Sequence, residues 1–154
     1  MSGMNASSVE NLKNDKESRV RITETDLNAL DNKLLRYSGI NREIALRREE
    51  LTFPHKEDMS VGSKGNTVSR PTETAVIKLD SDVKLRNLIL FKDTVEALLE
   101  GLDEEQKKIF HLRWMNAASI FYYTWEEIGE QLHFSRKTIY RKRRVILEKF
   151  AQLQ

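Results

Sequence analysis

Thr124 to Phe150 read TWEEIGEQLHFSRKTIYRKRRVILEKF, two amphipathic segments joined by a three-residue turn. Thr124-Trp125-Glu126-Glu127 has the form of a capping box. The threonine hydroxyl accepts from the backbone N–H three residues on, and Glu127 reaches back to the cap. A two-turn helix, Trp125–Leu132, comes next and buries Trp125, Ile128 and Leu132. Gly129 sits beside Ile128, where a second helix must cross closely and a Cβ would push the pair apart. His133-Phe134 make a tight turn, with His133 at a position of positive φ, where glycine would be cheaper but histidine is tolerated. Ser135 caps the next helix, Arg136–Ala151. Two helices, a three-residue turn and a small residue at the crossing predict a helix-turn-helix.

The second helix separates into two faces at 100° per residue. Ile139, Ile146 and Phe150 share one side, flanked by the stems of Lys142 and Arg143. Lys137, Arg141 and Arg144 lie opposite, with Tyr140 at the edge. Basic residues in a first turn oppose the helix dipole, so Arg136 and Lys137 are not placed there for helix stability. Arginine bonds bidentately to guanine in the major groove, and both basic side chains neutralise phosphates. The expected DNA-binding residues are therefore Ser135, Arg136, Lys137, Thr138, Tyr140, Arg141 and Arg144. Lys137, Tyr140 and Arg141 are assigned to base edges. Arg136, Thr138 and Arg144 are assigned to the backbone, and Ser135 serves chiefly as a cap.

Charge distribution agrees with this focus. Met1 to Leu102 carry 16 Lys+Arg against 17 Asp+Glu, whereas Asp103 to Gln154 carry 10 against 7. Six of those ten basic residues fall within Ser135–Arg144, which holds no acid. That is a local cationic footprint rather than a general basic character.

Working outward, a helix precedes the motif at Glu104 to about Met115. Asp103 caps it, and Ile109, Phe110, Leu112 and Trp114 form its buried side. Asn116 to Tyr123 connect it to the motif, and Phe121, Tyr122 and Tyr123 there read as packing. Residues 71–101 read as one long central helix starting at Arg70-Pro71-Thr72-Glu73 and closing at Gly101. Its stripe is Leu79, Val83, Leu88, Val95, Leu98, Leu99 and Leu102. Lys92 within that stripe and the absence of sustained heptads argue against a long coiled coil. Residues 53–70 read as a flexible loop. Residues 21–52 read as an N-terminal helical hairpin, with Ile22, Leu27, Leu30, Leu34 and Leu35 on its first helix. Ile40, Ile44, Leu46 and Leu51 mark the second, and residues 1–20 read as a disordered tail. The expected fold class is all-α: a hairpin, a long helix, and a helix-turn-helix domain over 102–154.

The 154 residues include no cysteine, which excludes disulfides, thiolate zinc sites and cysteine nucleophiles. There is no P-loop, no G-x-G-x-x-G motif and no supported Ser-His-acid arrangement, so no enzyme is expected. His55, His111 and His133 have no metal-ligand spacing; no metal or other cofactor is expected. No apolar run is long enough to span a bilayer, and the N-terminus has no signal-peptide core.

From Thr124 to Leu132 and from Ser135 to Ile139 the sequence resembles the helix-turn-helix of sigma-factor region 4. Leu102–Trp114 resembles the helix which that family places before its motif. Pro71-Thr72-Glu73, Ile77-Lys78-Leu79, Leu102-Asp103, Leu112-Arg113-Trp114, Thr124-Trp125 and Ser135–Arg141 together resemble the RinA-type phage transcriptional regulators. The ArpU-like group shares the C-terminal layout. The resemblance runs from about Leu34 to Leu153. It implies a phage or prophage protein of Gram-positive bacteria that activates late genes, with Arg136, Lys137, Tyr140 and Arg141 at the recognition positions. A full sigma factor also binds the −10 element, and no region for this is found, which favours an activator.

The expected function is thus sequence-specific binding of double-stranded DNA in transcriptional regulation, in the cytoplasm of a bacterial host. Host RNA polymerase and a second copy of the chain are further candidate partners; no membrane and no small-molecule substrate are expected. Two alternatives stand beside it. One is a small terminase-like packaging subunit, which would form a ring. The other is a helical polymerase-binding adaptor that works through the Leu79–Leu102 stripe.

Overall fold

The computed structural model describes residues 21–53, 71–116 and 122–154. The expected tail 1–20, nearly all of the expected loop 53–70, and Phe121 lie outside the described residues. The fold is all-α, with no strand among the described residues. Among the described residues, no helix is long and apolar enough to cross a membrane.

Helix α1 spans Glu24–Leu35, and a 3-10 turn at Tyr37–Gly39 leads into α2, Ile40–Thr52. Thr23 and Asp26 form a reciprocal capping box at the start of α1. These two helices do not form the expected hairpin. Leu27, Asp31 and Leu34 of α1 are buried, and α1 lies along the last helix of the chain; α2 packs on the central helices instead. Arg36, Gly39 and Ile40 all keep right-handed helical dihedrals, so the chain turns a corner without the left-handed residue that commonly ends a helix and reverses the chain. Leu46 is 48% exposed and takes no part in the packing assigned to it from the sequence.

The long central helix expected over 71–101 is divided at Asp82 into α3, Pro71–Ser81, and α4, Val83–Glu100. Asp82 leaves the helical region at φ −73°, ψ 116°, and its carboxylate accepts from the Leu85 N–H at 2.7 Å. Arg47 of α2 grips the same carboxylate with Nε at 3.0 Å and Nη2 at 2.7 Å. A local cap and a bidentate long-range pair thus hold the break open. This pairing keeps the Asp82 pKa down at about 2 and raises that of Arg47.

Helix α5, Glu104–Phe110, starts at an Asp103–Gln106 capping box and runs into a π-helical turn, His111–Met115. Helices α6, Trp125–Leu132, and α7, Arg136–Gln152, complete the chain. One core takes Leu27 and Leu34 from α1, Val95 and Leu98 from α4, and Ile109, Phe110 and Trp114 from the α5 region. Trp125, Ile128, Ile139, Ile146, Leu147 and Phe150 from the last two helices complete it. The residues from 102 onward therefore share their core with α1 and α4 and do not form the separate domain expected from the sequence. A smaller cluster, Ile40, Ile44, Leu85 and Leu88, joins α2 to α4.

Candidate nucleic-acid interface

Thr124 accepts from the Glu127 N–H at 3.2 Å, so half of the expected capping box is present; the return bond from the Glu127 side chain does not form. A Cβ on Gly129 would lie 3.2 Å from the Phe134 carbonyl oxygen and 3.3 Å from Ile139 Cγ2. The crossing therefore depends on the missing side chain, as the sequence suggested. His133 ends α6 in the left-handed region, φ 61° and ψ 39°, and is the only described non-glycine residue with positive φ. Its N–H and that of Phe134 close the turn onto the Glu130 and Gly129 carbonyls at 3.3 and 2.8 Å.

Ser135 then starts α7. Its hydroxyl accepts from the Thr138 N–H at 3.3 Å and donates to the Thr138 hydroxyl at 2.9 Å. Ile139, Ile146, Leu147 and Phe150 are fully buried against the core. The opposite side faces solvent, and the six basic residues of Ser135–Arg144 divide sharply along it.

Lys137 and Arg141 are exposed and, among the described residues, have no ionic or hydrogen-bonding partner. Arg136 has a 79% exposed side chain, 3.8 Å from the Glu126 carboxylate. Arg144 is half-buried: it donates to the Ile22 carbonyl at 3.2 Å and faces Glu148 at 3.6 Å. Lys142 is paired with Glu105 of α5. Arg143 is turned inward, with only 4% of its side chain exposed. The free cationic surface is thus narrower than the composition implies. It centres on Arg136, Lys137 and Arg141, all within the first two turns of α7.

Tyr140 is also committed. Its hydroxyl donates to Glu126 at 2.8 Å, a bond that raises the phenol pKa and holds the carboxyl of Glu126 below its ordinary value. The Arg136 guanidinium lies 5.8 Å from its ring centroid. The side chain expected at base edges therefore offers its ring, while its hydroxyl ties α7 to α6.

The residues missed from the sequence are those behind this face. Asp31, 5% exposed, sits at the centre of a buried polar cluster. Its carboxylate accepts from Arg113 Nε at 3.2 Å and Nη2 at 3.1 Å, from Trp114 Nε1 at 2.9 Å and from Trp125 Nε1 at 3.0 Å. Arg143 approaches from α7, its Nε 3.8 Å from Asp31 and without a hydrogen-bond partner. The Arg143 guanidinium ends bond Glu24 at 2.8 Å and Asn28 at 2.7 Å, both on α1. Arg113 also donates to the Tyr123 carbonyl at 2.9 Å, fixing the approach to α6. One carboxylate thus joins α1, the π turn, α6 and α7, and braces the helix-turn-helix from its inner side.

A sequence signal for this did exist. Asp31 falls between Leu27 and Leu34 on the apolar stripe of α1, and Arg143 falls between Ile139 and Ile146 on that of α7. An acid and a base, each inside a buried stripe, need one another.

Among the described residues, no three His, Asp or Glu side chains converge to hold a metal ion. No match to the chain is found among the curated proteins or the solved structures. A family model described as "Protein of unknown function (DUF722)" matches residues 27–152, from the first helix through to the end of α7. That span covers the buried Asp31 cluster and the whole helix-turn-helix, and the chain belongs to this DUF722 family.

Proposed function

We propose that the chain is a sequence-specific regulator of transcription that binds double-stranded DNA through the outer face of α7. The supporting observation is the pair of cations, Lys137 and Arg141, that have no partner among the described residues and stand on the solvent side of a capped helix whose back is locked to the core. Leaving two cations solvated and unpaired adds nothing to the fold, but it suits a polyanion.

In this reading α7 lies in the major groove, with Lys137 and Arg141 at base edges. Arg136, Ser135 and Thr138 contact phosphates near the helix N-terminus, where backbone N–H groups add to the attraction. Tyr140 lies against the sugar-phosphate edge through its ring, and Arg144 makes a secondary backbone contact. The resemblance to RinA-type regulators extends the proposal to a phage late-gene activator in the bacterial cytoplasm, with host RNA polymerase as its further partner.

The experiment is selection from random duplexes, then binding of variants to the selected site. Arg141→Ala loses about 1–3 kcal/mol of discrimination at one base position. Arg136→Ala weakens all sequences alike and reduces the salt slope by about one. If both variants bind like the parent, the assigned face is wrong.

A further inference from the structure

Helix α4 has a second face that the other described residues leave uncovered. Leu85, Leu88, Val95 and Leu98 are buried, and they account for the inward stripe. On the other side stand Val83, Asn87, Leu90, Thr94 and Ala97, spaced four and three residues apart in alternation. Val83 is 65% exposed and Leu90 61%. This alternation has the spacing of a short coiled-coil seam, carried only for the 18 residues of α4, roughly 27 Å. Thr94 donates its hydroxyl to the Leu90 carbonyl at 2.8 Å, which leaves that oxygen as an acceptor. Asn87 has no partner among the described residues and is the one polar group whose bonding the seam leaves open.

A groove of about 950 Å³ runs beside the seam and shares Val83, Asn87, Leu90 and Thr94 with it. Ile40, Leu88, Phe91 and Leu153 complete its apolar part. Lys33, Arg36 and Lys84 also line it, and no Asp or Glu side chain among the described residues does.

We propose that this face is the contact of a two-fold homodimer, in which α4 of a second copy runs antiparallel along the seam and fills the groove. Charge complementarity favours a second copy as occupant and an antiparallel direction. The first half of α4 carries Lys84 and Arg86 and no acid, while the second half carries Asp93, Glu96 and Glu100 against Lys92 alone, which faces Glu96 at 3.9 Å. An antiparallel partner places its acidic half over the cationic half and the basic groove, twice by symmetry. A parallel partner would set like charges together. Antiparallel helices also align their dipoles favourably. A two-fold axis near Leu90 brings Arg86 opposite Asp93 of the partner subunit. It also sets Asn87 beside Thr94 of the partner subunit, so that the amide donates to the threonine oxygen and fixes the register.

The dimer stands on the geometry of α4 alone. If the DNA reading also holds, it relates two α7 helices by a two-fold axis, and the operator is an inverted repeat.

The test is sedimentation velocity and light scattering on the full chain across the micromolar range. The parent sediments as a dimer. Leu90→Lys alters an exposed position, keeps the parent circular dichroism spectrum, and weakens the dimer at least about tenfold. Arg86→Asp and Asp93→Arg each weaken it, and the two together restore it. A monomeric parent, a ring larger than a dimer, or a Leu90→Lys variant that associates like the parent overturns the proposal. A double reversal no better than the singles overturns the antiparallel arrangement.

Discussion

Replacing Asp31 with asparagine tests the brace behind α7. One carboxylate oxygen accepts from Arg113 Nε and Trp114, the other from Arg113 Nη2 and Trp125. Asparagine keeps the shape but supplies only one acceptor oxygen. Its amide then faces either an indole and a guanidinium N–H or their counterparts, donor against donor. The charge that balances Arg113, and Arg143 at 3.8 Å, is lost as well. Removing one partner of a buried pair costs about 3–5 kcal/mol because the other charge stays buried. Against a total of about 5–15 kcal/mol, that is a large fraction of the stability. Urea denaturation monitored by tryptophan fluorescence measures it, since Trp114 and Trp125 are the only tryptophans and both bond Asp31. The midpoint falls while the denaturant slope stays the same. Arg113→Met in the same background costs less than in the parent, because the two residues act as a unit. A loss under about 1 kcal/mol would refute the reasoning, showing that water or side-chain rearrangement replaces the carboxylate readily.

Single positions supply the other tests. His133→Gly relieves a left-handed side-chain conformation and raises stability by about 1 kcal/mol in thermal melts, with DNA binding unchanged. Gly129→Val forces side-chain atoms into the Phe134 carbonyl and Ile139; it costs about 1–3 kcal/mol and separates α6 from α7, so DNA affinity falls with stability. Asp82 titrates at about 2 in an NMR pH series, and Arg47→Met returns it toward its ordinary value of 3.8. The folded pKa is depressed, so the Arg47–Asp82 pair stabilises fully above the ordinary carboxylate pKa. Its contribution fades as pH falls from there through about 2.

Local chemistry made the last two helices and the turn between them legible from residues alone. The Thr124 and Ser135 caps, the Gly129 crossing and the left-handed His133 all act within a few positions of the chain. Ile139, Ile146 and Phe150 fall on one face by periodicity, and the core uses that face. What escaped depends on contacts between distant segments. Whether Arg143 points out or in is decided by Glu24, Asn28 and Asp31, more than a hundred residues away along the chain. The break at Asp82 is joined by Arg47, 35 residues earlier. Apolar periodicity over 71–101 reads as a single stripe, yet Val83 belongs to the opposite, exposed face from Leu88 and Val95. Periodicity identifies a helix, but a helix with two apolar faces needs its neighbours to show which one is occupied.

The most direct measurement is amide chemical-shift mapping of the isotopically labelled chain as a selected duplex is added. The largest changes should fall on Ser135 to Arg141, with smaller ones at Glu126 and Arg144 and little change at Asp31 or along α2. If the duplex leaves the first two turns of α7 unperturbed, or shifts the surface of α2 or α4 instead, the proposal that the outer face of α7 binds DNA is contradicted.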